Sequence, residues 1–239
     1  MEQKNIGAKV AILIFIFLIA VNYSYFDNLL KNFLSEDKEI IVDRVIDGDT
    51  IESNGTSIRL LGINSPEKGE FGYNEAKNFL QNKILNKTVT LKFTNERTDK
   101  YGRTLAYVFI NSLNINVESV RNGFSNYYFY SGKDEYYNDL FSAWNECIVN
   151  GKNLCEKSAN VCANCINIIN SDNFIMNNCS FSCNITKWVI EGEGRGTFVF
   201  ENKILYQNQK TGFSLNLTNS GGSIFLRDDS GKLVDWASR

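Results

Sequence analysis

The sequence predicts a mainly β protein with helices: a five-stranded OB-fold barrel with three helices, followed by a β-sandwich and preceded by an apolar helix. Over residues 39–146, strand-like runs and helical periodicities follow the order βββ-α-ββ-α-α, which suits a small closed barrel with flanking helices. From about residue 165 onward, short apolar runs alternate with turn signals, a rhythm typical of a β-sandwich. An unbroken apolar run from Val10 to Val21 predicts the N-terminal helix.

The predicted barrel begins with a three-stranded meander over residues 39–63, with strands at 39–46, 50–52 and 57–63. Asp47-Gly48 and Asn54-Gly55 divide it, since both dipeptides favour tight hairpin turns. Apolar residues at helical spacing predict the helices, and β-branched and aromatic runs predict the other strands. These elements are, in order, a helix at 73–85, strands at 89–93 and 104–110, and helices at 117–122 and 137–144.

The N-terminal apolar run predicts export. Lys4 and Lys9 precede it and a polar segment follows, as in a signal peptide or a membrane anchor. Its twelve residues suit a signal, since a full span needs about 20. Extension to Phe26 gives a segment able to cross a thin bilayer, and no clean cleavage site follows. We expect residues 1–26 to be a signal or anchor, residues 27–38 a stalk, and the rest extracytoplasmic, either membrane-anchored or secreted.

All six cysteines fall between residues 147 and 183. In an exported protein, an even number of clustered cysteines predicts disulfides, with the pairing left open. The competing interpretation is a zinc site formed by four of them, namely Cys162, Cys165, Cys179 and Cys183. We interpret residues 147–164 as a cysteine-rich linker between domains at 39–146 and 165–239.

Composition narrows the possible chemistry. The chain contains no histidine, which excludes Ser-His-Asp, Cys-His and HExxH catalysis. Any catalysis must use carboxylates, guanidinium groups, the backbone or a metal. With 25 Lys and Arg against 27 Asp and Glu, the net charge is −2, so no global basic field attracts a polyanion.

Oxygen donors of the predicted barrel could gather a hard cation. Asp49 offers a carboxylate, Asn64 an amide oxygen and Ser65 a backbone carbonyl. Ca²⁺ takes about six to eight oxygen ligands, the remainder coming from water and phosphate. Each of these segments taken alone is an ordinary turn or loop, so the inference depends on their combination.

The same region supplies groups suited to a phosphodiester. Arg59 and Arg103 could grip phosphate oxygens and stabilise the extra negative charge on five-coordinate phosphorus. Glu67 could orient or deprotonate an attacking water molecule. Together with the oxygen donors, these side chains form a complete set for phosphodiester hydrolysis.

Three segments in this order resemble the thermonuclease (staphylococcal nuclease-like) family over about residues 40–145. They are Asp47-Gly48-Asp49-Thr50, the run Ile58-Arg59-Leu60-Leu61-Gly62-Ile63-Asn64-Ser65-Pro66-Glu67, and the run from Arg97 to Tyr107 that contains Lys100-Tyr101-Gly102-Arg103. The resemblance implies an OB-fold, Ca²⁺-dependent phosphodiesterase. It also implies cleavage of DNA and RNA at the 5′-oxygen with little sequence selectivity, leaving 3′-phosphates.

The resemblance also assigns roles to individual residues. It implies metal ligands at Asp49 and the Ser65 carbonyl, phosphate-binding arginines at Arg59 and Arg103, a catalytic glutamate at Glu67, a tyrosine beside the nucleotide at Tyr101, and base-stacking tyrosines at Tyr128 and Tyr130. Stacking of this kind would hold single-stranded or frayed ends. Asn64 departs from the family, since it stands where a second aspartate ligand is expected, and this loss of charge predicts weaker calcium binding.

The C-terminal part resembles the lamin-tail domain over about residues 165–239. The segments that carry the resemblance are 184–190, 197–200, 217–228 and 231–236. The resemblance implies an immunoglobulin-like sandwich used for attachment or binding, with an unknown ligand.

The sequence therefore supports an exported, calcium-dependent nuclease as the first hypothesis. The alternative is a catalytically inactive, nuclease-like surface module that binds nucleic acid or protein. A third hypothesis is a structural envelope protein, in which deletion of 165–239 abolishes localisation and leaves hydrolysis intact.

Overall fold

The computed structural model describes residues 37–129, 132–169, 173–192, 196–215 and 223–238, with seven isolated positions between Ile14 and Tyr25. The chain divides into two compact units, Met1–Lys38 and Glu39–Arg239. The predicted anchor, 1–26, and stalk, 27–38, lie almost entirely outside the described residues. Within the part of the chain that the structure describes, no helix is long and apolar enough to span a bilayer.

The first half of the second unit contains nine strands and three α-helices among its described residues. They are β1 (Lys38–Ile41), β2 (Arg44–Val45), β3 (Thr50–Ser53), β4 (Thr56–Leu60), β5 (Ile63–Asn64), α1 (Tyr73–Ile84), β6 (Thr88–Lys92), β7 (Thr104–Ile110), β8 (Leu113–Asn114), α2 (Ile115–Arg121), β9 (Asn126–Tyr127) and α3 (Tyr137–Asn150). The predicted mainly β architecture with three helices is confirmed for this region.

The main sheet of this half has the order β1-β6-β7-β4-β3-β2, with β8 paired to β7. Strands β2, β3 and β4 form the predicted antiparallel meander, and β4 pairs in parallel with β7. A separate short ladder joins β5 to β9, with Asn64 opposite Asn126. That ladder places residues following β4 beside residues following α2.

One predicted strand, 39–46, is divided into β1 and β2. At the break, Val42 exchanges backbone hydrogen bonds with Lys87 and Asn86, whereas the N–H of Asp43 donates to the carbonyl of Glu52. The chain therefore changes its pairing partner between these two residues, as is required where one strand continues around a curved sheet.

The second half of the unit consists of short strands and two 3₁₀ turns, Asn153–Cys155 and Val161–Asn164. Its strands are β10 (Ile166–Ile169), β11 (Phe174–Asn177), β12 (Cys183–Asn184), β13 (Val189–Gly192), β14 (Thr197–Val199), β15 (Ile204–Leu205), β16 (Lys210–Gly212), β17 (Ser223–Arg227) and β18 (Leu233–Ser238). They form three antiparallel groups with the orders β14-β13-β17-β18, β10-β11-β16 and β12-β15. The immunoglobulin-like sandwich and the domain boundary at 147–164 stay predictions.

Two hydrophobic cores organise the unit. The first fills the barrel and contains Leu80, Tyr107 and Trp144, but it also includes Phe225 and Leu233 from the C-terminal strands. The second lies within the C-terminal half and surrounds buried residues such as Trp188 and Ile190.

All six cysteines form disulfides in this structure, with pairs Cys147–Cys155, Cys162–Cys183 and Cys165–Cys179. The disulfide interpretation therefore describes the structure, and the zinc interpretation does not. The first bridge joins the end of α3 to the following 3₁₀ turn, and the other two lie in and beside the second core.

Candidate active site

The turn between β2 and β3 places two carboxylates side by side. The N–H of Ile46 donates to the carbonyl of Thr50 at 2.9 Å, and the N–H of Asp49 donates to Asp47 Oδ1 at 3.0 Å. Asp49 is 2% exposed. Burial raises the pKa of Asp47, and the neighbouring charge of Asp49 raises it further.

Arg59, on β4, forms an ion pair with Asp49. Its side chain is almost completely buried, and its Nη2 lies 3.0 Å from Asp49 Oδ2 and 3.3 Å from Asn64 Oδ1. Its Nη1 donates to the carbonyl of Leu60 at 2.5 Å. A buried guanidinium held by three acceptors is fixed in direction, because its planar fork cannot rotate without losing bonds.

Ser65 completes this cluster through its backbone. The N–H of Ser65 donates to Asp49 Oδ2 at 2.8 Å, across sixteen positions of sequence. The structure therefore brings together four of the residues that the sequence predicts for one site: Asp49, Arg59, Asn64 and Ser65.

The donor set of this cluster fits a hard divalent cation. Its carboxylate, amide and carbonyl groups all offer oxygen, the ligand type that Ca²⁺ and Mg²⁺ prefer. Asp47 and Asp49 are neighbouring carboxylates, and Arg59 forms its ion pair with Asp49, so a cation would offset the remaining repulsion between the two carboxylates. Asp49, Asn64 and Ser65 are the residues that would hold such an ion.

A half-open cavity of about 100 Å³ adjoins the cluster. Asn64, Ser65, Glu67 and Tyr128 line one side of it, and residues of the C-terminal half, including Glu191, line the other. Glu67 is exposed, and its backbone N–H donates to Glu70 Oε2 at 2.7 Å. The predicted acid and one predicted stacking ring therefore border the same space as two predicted metal ligands.

Arg103 and Tyr101 belong to the loop that leads into β7. Arg103 Nε donates to Asp99 Oδ2 at 2.7 Å, and the guanidinium lies 5.6 Å from the centre of the Tyr101 ring, which is 69% exposed. Burial raises the pKa of Asp99, but hydrogen bonds from Arg103 and Tyr101 outweigh it and lower the pKa.

The pairing of β7 with β4 orients this loop. Leu105 is the partner of Arg59 in the parallel ladder. Arg103 directly precedes β7, and neither Arg103 nor Tyr101 is among the residues that line the cavity.

Comparison with known proteins identifies the domain that carries this cluster. The family described as staphylococcal nuclease homologue matches residues 57–157, which include Arg59, Glu67 and Arg103. The chain contains a thermonuclease-like domain. The matched residues begin at β4 and end just beyond the first disulfide, so the Asp47–Asp49 turn lies before them.

Individual relatives match the thermonuclease-like domain. A thermonuclease of Staphylococcus intermedius is 36% identical over 107 residues, covering 40% of this chain and 63% of the relative. An uncharacterized protein of Methanocaldococcus jannaschii is 37% identical, over 41% of this chain and 63% of its own length. Endonuclease YhcR of Bacillus subtilis is 35% identical, over 38% of this chain and 9% of its own length. The chain thus spans less than two thirds of the length of these relatives.

Some residues that contact the predicted site residues or line the cavity were not predicted from the sequence. Asp47 and Asp99 lie inside the Asp47–Thr50 and Arg97–Tyr107 motifs, so their position in the sequence could have indicated a place in the site. For Asn126, Glu191 and Arg227 the sequence offers no such indication, because their contacts join positions far apart in the chain. Tyr130 lies outside the described residues, and its predicted stacking role stays a prediction.

Proposed function

We propose that the thermonuclease-like domain is a calcium-dependent nuclease that hydrolyses phosphodiester bonds of DNA and RNA with little sequence selectivity. The observation that carries the proposal is the buried Arg59 guanidinium, held between Asp49 and Asn64, because Asn64 also lines the cavity that Glu67 borders. Anion recognition, oxygen ligands and an accessible acid occur together there.

In this proposal Arg59 and Arg103 bind the phosphate oxygens and stabilise the charge that grows as water attacks phosphorus. A cation held by Asp49, Asn64 and Ser65 would supply further positive charge to the phosphate. Glu67 accepts a hydrogen bond or proton from the attacking water. The bond from phosphorus to the 5′-oxygen breaks, the 5′-oxygen takes up a proton from solvent, and the products are a 3′-phosphate and a 5′-hydroxyl.

Single-stranded or frayed nucleic acid is the proposed preferred substrate. Residues 39–146 contain 12 Lys and Arg and 15 Asp and Glu, so 12 − 15 gives a net charge of −3 and long-range steering is weak. Affinity must then come from the cleft, where Tyr128 offers a ring for stacking. A flexible strand also enters a cleft with two walls more readily than a stiff duplex does.

We propose that the protein acts outside the cytoplasm, secreted or held at a membrane by its N-terminal segment. The three disulfides support this location, because structural disulfides persist in oxidising compartments. A role of the C-terminal strands in attachment to an unknown ligand is part of the same proposal.

Substitution Glu67→Gln tests the chemistry. It keeps the size of the side chain and removes the base, so turnover on single-stranded DNA with Ca²⁺ should fall by roughly two to four decades. The unfolding temperature should stay unchanged, because Glu67 is exposed. Glu75→Gln on α1, also exposed, is the matched control and should cleave like wild type.

Three outcomes would contradict the proposal. Wild-type turnover in Glu67→Gln would remove the assigned role of that residue. Cleavage that survives a chelator would exclude the metal requirement. Binding of nucleic acid without any cleavage by the wild type would favour the inactive binding module.

A further inference from the structure

A buried arginine from the C-terminal strands reaches the thermonuclease-like domain beside the cleft. Arg227, on β17, is 2% exposed. Its Nε lies 2.9 Å from Glu191 Oε2, its Nη2 donates to Asn126 Oδ1 at 3.1 Å, and its Nη1 donates to the carbonyl of Leu154 at 2.6 Å. One guanidinium thus connects β13, β9 and the 3₁₀ turn that follows α3.

The contacts close into a triangle. Asn126 Nδ2 donates to Glu191 Oε2 at 3.3 Å, so Arg227, Glu191 and Asn126 each contact the other two. We call these three residues the Arg227 triangle. Both ends of the Asn126 amide are held, which fixes the side chain and the strand that carries it.

That strand is the one paired with the candidate metal site. Asn126 lies opposite Asn64 in the β5–β9 ladder, and the N–H of Tyr128 donates to the carbonyl of Gly62 at 2.8 Å. Asn64 Oδ1 in turn accepts from Arg59. A displacement of β9 would therefore move a metal ligand and a ring of the cleft wall together.

Stability alone is a weak explanation for the triangle. A buried ion pair recovers little more than its desolvation cost, and apolar residues of similar volume often stabilise a fold equally well. Apolar contacts already join the two halves at the same place, where the Tyr127 and Phe225 rings lie 6.1 Å apart. The polar triangle fixes the orientation of β9, because its hydrogen bonds are satisfied in one arrangement of that strand.

We propose that Arg227 and Glu191 are positioning residues of the nuclease site: through Asn126 they hold β9 in register, so that Asn64 and Tyr128 face the cleft. The C-terminal half is then a working part of the hydrolytic site as well as a possible attachment module. This inference rests on the proposed function, and the residues that it adds act by holding β9 in place.

Asn126→Ala in the full chain tests the proposal. Ca²⁺ affinity is measured by calorimetry without nucleic acid, and kcat and KM on single-stranded DNA are measured well below the unfolding temperature. Loss of an outer partner of a metal site typically weakens affinity or activity about 10- to 100-fold, and we expect a loss of about tenfold in Ca²⁺ affinity with a fall in kcat. Arg227→Lys keeps the charge but not the fork, so it should shift both quantities in the same direction.

Asn177→Ala is the matched control. Asn177 is fully buried in the C-terminal half, and its amide donates to the carbonyls of Phe181 and Leu205. Its removal should lower the unfolding temperature as Asn126→Ala does, but it should leave Ca²⁺ affinity and kcat unchanged.

The outcomes separate this inference from the proposed function. If the wild type cleaves and both Asn126→Ala and Arg227→Lys match it in Ca²⁺ affinity and kcat, the positioning role is overturned and the nuclease stands. If the wild type neither cleaves nor binds Ca²⁺, amide NMR shifts still decide the positioning role. Shifted Asn64 and Ser65 signals in Arg227→Lys would support it, and unshifted signals would overturn it.

Discussion

Gly48 is the residue that permits the Asp47–Asp49 turn to approach Ser65. A Cβ at this position would lie 2.6 Å from the Cβ of Ala76 and 2.7 Å from the Cβ of Ser65. The turn backbone therefore packs directly against α1 and against the residue whose N–H reaches Asp49. Hydrogen is the only side chain that fits here, and the reason is space rather than an unusual dihedral angle.

We predict that Gly48→Ala lowers the free energy of unfolding by about 1–3 kcal/mol, as overpacking of a filled site does. It should also weaken Ca²⁺ binding, because Ser65 must move away. Denaturant unfolding and calorimetry measure the two effects. Gly55→Ala is the control: its φ of 73° makes alanine strained but nothing lies within 4 Å, so stability should fall while Ca²⁺ affinity holds.

The cluster around Asp49 was predictable because its members sit in recognisable local motifs. Arg59, Asn64 and Ser65 lie within seven positions of one another. The Arg227 triangle was not predictable, because Asn126 and Arg227 are 101 positions apart and no sequence pattern links them. Pairing at that separation is decided by the tertiary fold, which local periodicity does not encode.

The turn between β17 and β18 is held by one carboxylate. Asp228 Oδ1 accepts from the N–H of Ser230 at 2.9 Å and from the N–H of Lys232 at 3.0 Å, and Oδ2 accepts from Ser158 Oγ at 2.5 Å. Burial raises the pKa of Asp228, but these hydrogen bonds outweigh it and lower the pKa below its usual value. The folded protein therefore favours the ionised form.

We predict that Asp228→Asn costs about 2 kcal/mol of stability at neutral pH, the usual scale for hydrogen bonds to a charged group. The wild-type advantage is fully present above the ordinary aspartate pKa and is lost as the pH falls through the lower pKa of the folded state. Denaturant unfolding at several pH values should show the two proteins converging in acid. A difference in free energy of unfolding that stays constant at every pH would contradict the stabilising role of the ionised Asp228. The control is Asp229→Asn, at an exposed neighbour, which should have little effect on stability.

Periodicity and turn dipeptides predicted the order of strands and helices in the barrel, but they did not predict where some of these elements begin or end. The predicted helix at 117–122 begins instead at Ile115, because the side chain of Asn114 accepts from the N–H groups of Asn116 and Val117 and caps it. The predicted strand at 57–63 ends at Leu60, and Gly62 follows with a φ of 71°. Pairing partners and caps, rather than residue propensity, set these boundaries.

The barrel core is completed by residues from the far end of the chain. Trp144 of α3 lies 4.9 Å from Phe225 and 5.9 Å from Trp236, measured between ring centres. Leu233 is buried in the same core. The hydroxyl groups of Tyr127 and Ser223 also share a hydrogen bond. The thermonuclease-like domain and the C-terminal strands therefore stabilise each other.

We predict that a protein ending at residue 164 unfolds at a lower temperature than one ending at residue 239. It loses the burial of Phe225 and Leu233, each worth about 1.5–3 kcal/mol, and exposes Trp144. Calorimetric unfolding of the two proteins, both starting at residue 39, measures the difference. Phe225→Ala in the longer protein should reproduce part of the loss. Equal unfolding temperatures of the two proteins would show that the stability of the barrel does not depend on the C-terminal strands.

The shared core has a consequence for biosynthesis. A ribosome that has finished α3 has made the proposed metal ligands, the phosphate-binding arginines and Glu67, yet Phe225 and Leu233, which complete the barrel core, are still to come. The barrel therefore reaches its full stability only after β17 and β18 have been translated.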